Sequence, residues 1–152
     1  PDDLAVVWDK YHAERKDCAG RTVSRDVFAK IAQRADVAPS FVFPVVRKPD
    51  GFFVLYSHFA PKEGVCYMTF LEDYKRNPAT ARPWLAAQFF NETDPVLVHT
   101  SFAPYLSKAD AEALTNDLIA FYGNDDAFAA HVKVFNLESH KFDFARAFPL
   151  AR

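Results

Sequence analysis

Five histidines, two cysteines and two acidic pairs are the side chains of this 152-residue sequence best suited to chemistry. The histidines are His12, His58, His99, His131 and His140. Metal sites legible in sequence place ligands at short spacings such as H-x-H, H-E-x-x-H or C-x-x-C, so that one turn or one helix face converges the donors. None of these spacings occurs among the five. His58 and His99 fall on expected strands and could meet across a sheet, but an imidazole counts as catalytic only where other groups converge on it. The simpler expectation is that both satisfy local hydrogen bonds or face solvent. Cys66 leads into an apolar strand and reads as a small buried hydrophobe. Cys18, beside Lys16 and Asp17, could be exposed, yet a thiol without a base is not a nucleophile. Ser57-His58 and Ser101 lack the setting of a nucleophile elbow. Glu72-Asp73 and Asp125-Asp126 stand at expected helix starts, where carboxylates complement the helix dipole. A phosphate-cradling loop needs clustered glycines, and Gly20, Gly51, Gly64 and Gly123 are scattered. The reading therefore assigns no catalytic, cofactor-binding or metal-ligating residue and expects no enzyme.

Binding is the alternative, and the aromatic residues carry it. The chain has 16 Phe against 10 Leu, although Leu is usually among the commonest residues. Phe combines a large apolar area with few rotamers, which suits either a core or a recognition surface. Phe52, Val54, Tyr56 and Trp84 are the candidate partner-binding group. If no helix covers their face of the sheet, they form an apolar patch too large for a free monomer. Net charge is −2 with acids and bases interspersed. No basic stripe marks a nucleic-acid partner, and no apolar run approaches the length of a transmembrane segment. Two cysteines are not a disulfide framework, so a reducing compartment is expected.

The elements that would position these residues centre on residues 41–70. The runs FVFPVV, FFVLYSHF and VCYMTF are separated by RKPDG and APKEG, which reads as strand, turn, strand, turn, strand. Pro44 places the first strand at a sheet edge or bulge. Pro49-Asp50-Gly51 suits a type I turn with Gly51 left-handed. Both faces of the second strand are apolar, so it should be flanked on both sides.

Two helices precede the meander. The first carries Leu4, Val7, Trp8 and Tyr11 as one apolar stripe, and its charged end breaks at Gly20. The second starts at the N-cap Ser24 and ends before Pro39. A short helical turn covers residues 71–77. Residues 83–90 fit either helix or strand and are assigned to a strand; residues 96–102 read as a strand. Ser107 and Asp110 form a capping-box-like pair opening a long helix that stops at Gly123. Asp125-Asp126 can cap another helix, and Phe142 and Phe144 alternate in an extended tail. Strands joined by short turns imply an antiparallel sheet. The fold class is α+β, with about five strands, two N-terminal helices and a long helix near the C-terminus packed on the sheet. One domain over residues 1–152 is expected, with residues 1–38 as an N-terminal helical clasp and residues 41–144 as sheet and helices.

An ordered set of segments carries a resemblance over nearly the whole chain. It comprises LAVVWDKYHAER, VSRDVFAKIAQRADVAPSFVFPVVR, TFLEDYKRNPATARP, PVLVHTSF, a helix ending IAFYG, and VFNLESHKFDF. In that order they resemble the ATP-eleven chaperone family, the mitochondrial assembly factors that chaperone the catalytic β subunit of ATP synthase. The resemblance implies a non-catalytic holdase of the mitochondrial matrix. It would bind the unassembled β subunit and shield the surface that later meets the α subunit. Family precursors carry a mitochondrial presequence, or transit peptide. This chain starts at Pro1, which is read as a processed or trimmed form. The matched residues Pro44, Leu97, Tyr122, Phe135 and Phe142 read as structural and do not mark the binding surface. The competing expectation is a permanent subunit of a mitochondrial complex such as ATP synthase, built on the same fold. A small α+β enzyme using His58 or His99 would instead require a concave pocket with convergent polar groups.

Overall fold

The computed structural model describes residues 2–47, 49 and 51–149. The meander is β2 (Ser40–Arg47), β3 (Gly51–Ala60) and β4 (Val65–Phe70), and β5 (Pro83–Phe90) and β6 (Val96–Phe102) extend it. The sheet is antiparallel in the order β1-β6-β5-β4-β3-β2. Its sixth strand, β1 (Cys18–Val23), exceeds the expected count. CAGRTV has no sustained apolar alternation and carries a mid-strand glycine; pairing with β6 is what makes it a strand. Pro44 lies on the edge strand β2, where a missing donor is tolerated. Gly51 has φ +104°, the conformation the turn requires of it; Asp50 of that turn lies outside the described residues.

Strand register sorts the side chains to two faces. Phe41, Phe43 and Val45 stand opposite Ser57, Leu55 and Phe53, and Met68 and Leu85 continue the row. This face meets α2 (Arg25–Val37) and α4 (Lys108–Gly123). The capping box of α4 forms as expected: Ser107 Oγ accepts from the Asp110 amide, and the Asp110 carboxylate accepts from the Ser107 amide. Asp110 also pairs bidentately with Arg47 at 2.8 and 2.9 Å, fastening the end of β2 to the start of α4. Arg47 and the capping hydrogen bonds hold the Asp110 carboxyl below its ordinary value against the opposing effect of burial. Leu114, Leu118 and Tyr122 point inward, and the Tyr122 hydroxyl donates to the Ala38 carbonyl at 2.6 Å.

α4 does stop at Gly123, while the helical stretch after it is capped differently from expectation. Gly123 is the last residue of α4 and has no positive φ. Space is the local demand, since a Cβ there would lie 3.1 Å from Val27 of α2. The next helical stretch is capped by Asn124, whose side chain accepts from the Ala127 amide, rather than by Asp125-Asp126. It runs as α5 (Asp125–Ala127), a π-helical segment (Phe128–Val132) and α6 (Lys133–Leu137). The tail is extended only at Phe142 and Asp143, and Phe144 is already helical. A 3₁₀ turn (Ser139–Lys141) leads to α7 (Phe144–Ala147), capped by Asp143. This C-terminal stretch folds back on β2. The fully buried Phe41 ring has Phe43, Phe121, Phe135, Phe142 and Phe148 at centroid distances of 5.2–5.9 Å. Much of the Phe excess is therefore core.

The opposite face of the sheet carries helices too. α1 (Asp2–Ala13) lies over the β1–β6 end, and α3 (Leu71–Arg76) lies against β3 and β4. Residues 2–38 thus straddle the sheet, with α1 on one face, β1 on the edge and α2 on the other face.

Candidate functional site

Phe52, Val54 and Tyr56 share one face of β3, with Val46, Pro44 and Val42 opposite them on β2. Phe52 is 41% exposed and stacks at 5.6 Å on Phe144 of α7. Tyr56 is half-buried beneath α3: its ring stacks on Tyr74 at 4.2 Å and its hydroxyl pairs with Ser40 Oγ at 2.7 Å. Val54, between them, is also half-buried. Trp84 does not join this group. The β4–β5 register shifts between Met68 and Thr69, leaving Trp84 as the extra residue of a bulge. Its indole stacks on Phe70 at 4.8 Å and on Tyr105 at 4.6 Å, with Phe53 edge-on. Phe53 and Phe70 belong to the Leu55 face. A bulge re-aims a side chain without any change in local composition, so strand alternation misplaces Trp84. The open part of the expected surface is Phe52 with Val46 directly across from it, also exposed.

A second apolar surface lies on α1. The expected stripe divides: Trp8 turns to the sheet and donates to the Val98 carbonyl at 3.0 Å, while Leu4, Val7 and Tyr11 face out. Val7 is 66% exposed, and the Arg15 guanidinium covers the Tyr11 ring at 4.4 Å. The residue that replaces the outer ones in the interface is His12, 2% exposed. A Cβ on Gly20 would stand 2.3 Å from His12 Cγ, so the missing side chain of Gly20 is the hollow that receives the imidazole. A polar residue occupies an inward position because all its hydrogen bonds are met there.

His12 Nδ1 lies 2.8 Å from the Trp8 carbonyl oxygen, and His12 Nε2 lies 2.8 Å from His99 Nδ1. Cys18, also buried, completes a group whose donor atoms all fall within 4.8 Å of one another. Among the described residues this is the one cluster of three His, Cys or acidic side chains so placed. Burial and the adjacent His12 lower the His99 value, so the imidazole stays neutral. Burial, with Asp17 beside it, pushes the Cys18 thiol up. No short ligand spacing announces this set; its members come from α1, β1 and β6. No local signal marked it, because CAGRTV does not read as a strand and Gly20, two residues after Cys18, reads as a break rather than as a hollow for an imidazole.

His58 and His99 do not meet. β4 and β5 separate their strands, and His58 Nδ1 pairs with Ser40 Oγ at 3.0 Å on an exposed surface. Cys66 is fully buried, and desolvation raises its thiol far above the ordinary range, as befits an inert core residue.

A cleft of about 370 Å³ opens between β2, α4 and the C-terminal segment, and Asp117 and Phe148 help line it. Burial pushes the Asp117 carboxyl up to about 6 from 3.8. Below the unfolded-state value both states are protonated and the residue is neutral to stability. Between about pH 4 and 6 the native state retains the proton that the unfolded chain gives up, so stability falls as pH rises and the deficit persists above. Asp117→Asn is expected to flatten that segment of the pH–stability curve. It should gain about 1 kcal/mol at pH 7, after discounting for solvent screening at this partly exposed site. Urea midpoints from pH 4 to 8 measure it, and an unchanged slope would refute the assignment.

Among the described residues, no helix is long and apolar enough to cross a membrane. Comparison with known families finds the model described as ATP11 protein, which matches residues 1–146. No curated protein matches the chain.

Proposed function

We propose, from the premise that this chain belongs to the ATP11 protein family, the chaperone family of mitochondrial ATP synthase assembly, that it holds the unassembled β subunit in the mitochondrial matrix and shields the surface later buried against the α subunit. The family match over residues 1–146 carries this reading. The chemistry required is modest. An orphan subunit exposes apolar interface and aggregates, and reversible capture lowers its free concentration. Exposed Val46 and Phe52 at the end of the β2–β3 hairpin supply apolar contact of the right kind. Val54 and Tyr56 continue that face beneath α3, and Trp84 with exposed Tyr105 forms a second aromatic edge on the other face. The proposal takes residues 1–152 as one non-catalytic domain that needs no cofactor.

Purified protein should suppress aggregation of isolated β subunit in a light-scattering assay. Phe52→Glu should weaken capture about tenfold, since placing a charge against an apolar interface removes at least one side chain's transfer free energy. Full suppression by the variant would remove the Phe52 surface and leave the chaperone reading standing. Pull-down of an entire mature complex instead of free β subunit, with stoichiometric comigration on native gels, would overturn that reading in favour of a permanent subunit.

A further inference from the structure

We infer that His12, Cys18 and His99 form a binding site for a thiophilic divalent metal ion of the zinc class, which pins α1 to the sheet. A carbonyl oxygen can only accept, so the 2.8 Å contact with the Trp8 carbonyl requires the proton on His12 Nδ1. The lone pair of neutral His12 is then on Nε2 and points at His99 Nδ1, 2.8 Å away. A backbone carbonyl holding one ring nitrogen so that the other presents its lone pair is the outer-shell arrangement of metal-ligating histidines. Cys18 Sγ completes a set with every donor pair inside 4.8 Å. Tetrahedral zinc, with bonds of about 2.0–2.3 Å, needs donor separations of roughly 3.3–3.7 Å. The facing imidazole nitrogens must part by about half an ångström and the thiol must close in; His12 stays held at the Trp8 carbonyl, so His99 and Cys18 make the adjustment. Two imidazoles with one thiolate favour zinc-class ions over magnesium or calcium, and three protein donors leave a fourth tetrahedral position for water.

The proton inventory balances. Cys18 releases its thiol proton to solvent as the S–metal bond forms. His99 gives up the Nδ1 proton with which it meets His12 in the metal-free protein and takes one at Nε2, with no net change. Charges around the site divide. Asp17, next to Cys18, favours a cation; Arg15 and Lys108, whose ammonium engages the His12 and Arg15 carbonyls, oppose it. The ligands come from three elements, α1, β1 and β6. Occupancy would therefore tether the first helix, whose outer side carries Leu4, Val7 and Tyr11. This inference is independent of the β-subunit proposal.

The test uses the full chain, stripped with a chelator and kept reduced, titrated with Co(II) and then Zn(II). One equivalent of Co(II) should bind with a thiolate-to-cobalt charge-transfer band, Zn(II) should displace it, and Zn(II) should raise Tm. Cys18→Ser should abolish the band, and both Cys18→Ser and His99→Gln should weaken Zn(II) binding by about 100-fold or more. His140→Gln, at an exposed position, should change nothing. Absence of the band in the wild type, or a band surviving in Cys18→Ser, would overturn the site. X-ray absorption on the zinc-loaded wild type decides it even if a variant fails to fold: one sulfur and two imidazole scatterers support the site, and a sulfur-free shell ends it.

Discussion

Phe41→Ala is expected to lower the stability of this protein by about 3–5 kcal/mol, a drop in Tm of roughly 10 °C for a chain of this length. Phe41 is fully buried on the edge strand β2, and five other phenylalanine rings surround it. Those rings come from β2 itself, from α4 and from the C-terminal stretch. Truncation removes a ring shared between the sheet and that stretch, and side chains from β2, α4, α6 and the segments flanking α7 cannot all collapse into one void. Residues 128–149 should therefore become sensitive to protease at temperatures where the wild type resists. The consequence reaches the proposed binding surface, because Phe144, which stacks on Phe52, belongs to the same stretch. Phe142→Ala, at a half-buried position, should cost clearly less. Urea denaturation of the two variants checks the ranking. A Phe41→Ala loss below about 1 kcal/mol would show that the site relaxes and that the aromatic cluster is not cooperative.

Gly20→Ala is expected to destabilise by about 1–3 kcal/mol and to loosen α1 selectively. Propensity alone argues the opposite sign, because glycine within a strand costs roughly 0.5–1 kcal/mol relative to alanine. Backbone conformation does not demand glycine here, as φ is not positive. Space does. A new Cβ would sit 2.3 Å from both Cγ and Nδ1 of His12, well inside contact distance. The ring cannot step aside cheaply, being held by the Trp8 carbonyl and His99. Sterics therefore win over propensity, and the helix must lift. Hydrogen exchange at residues 2–13 should rise while exchange in α4 stays slow. The same variant should lose the Co(II) charge-transfer band of the inferred metal site. An unchanged Tm with unchanged exchange in α1 would refute the packing argument.

Particular elements explain how legible the chain was. Strands β2, β3, β4 and β6 were readable because each apolar run has strand length and is bounded by turn residues, whereas residues 83–90 fitted helix or strand alike and their pairing with β4 and β6 makes them β5. Helix α4 was readable from Ser107, Asp110 and a long 3.6-residue repeat, and the capping box is present. Strand β1 was not readable, since a short strand on a sheet edge draws its stability from its partner. The α1 stripe was correctly periodic but wrongly aimed. Period identifies a helix, whereas which side faces inward depends on what the sheet offers, here the hollow at Gly20. The expected group Phe52, Val54, Tyr56 and Trp84 divided for the same kind of reason: a one-residue bulge turned the indole to the other face.

The sequence by itself determined the α+β class, the order of most elements, the caps Ser24 and Ser107, and family membership through an ordered set of segments. All of these rest on local spacing or on linear order. Only the tertiary structure decided that β1 pairs with β6, that the C-terminal phenylalanines fill the core beside Phe41, and that Phe52 stays open while Tyr56 is covered. It alone brought His12, Cys18 and His99 within reach of one ion. Those outcomes depend on contacts between residues up to 107 positions apart, Phe41 with Phe148. Such contacts follow from strand order and helix placement, which no local window of sequence contains.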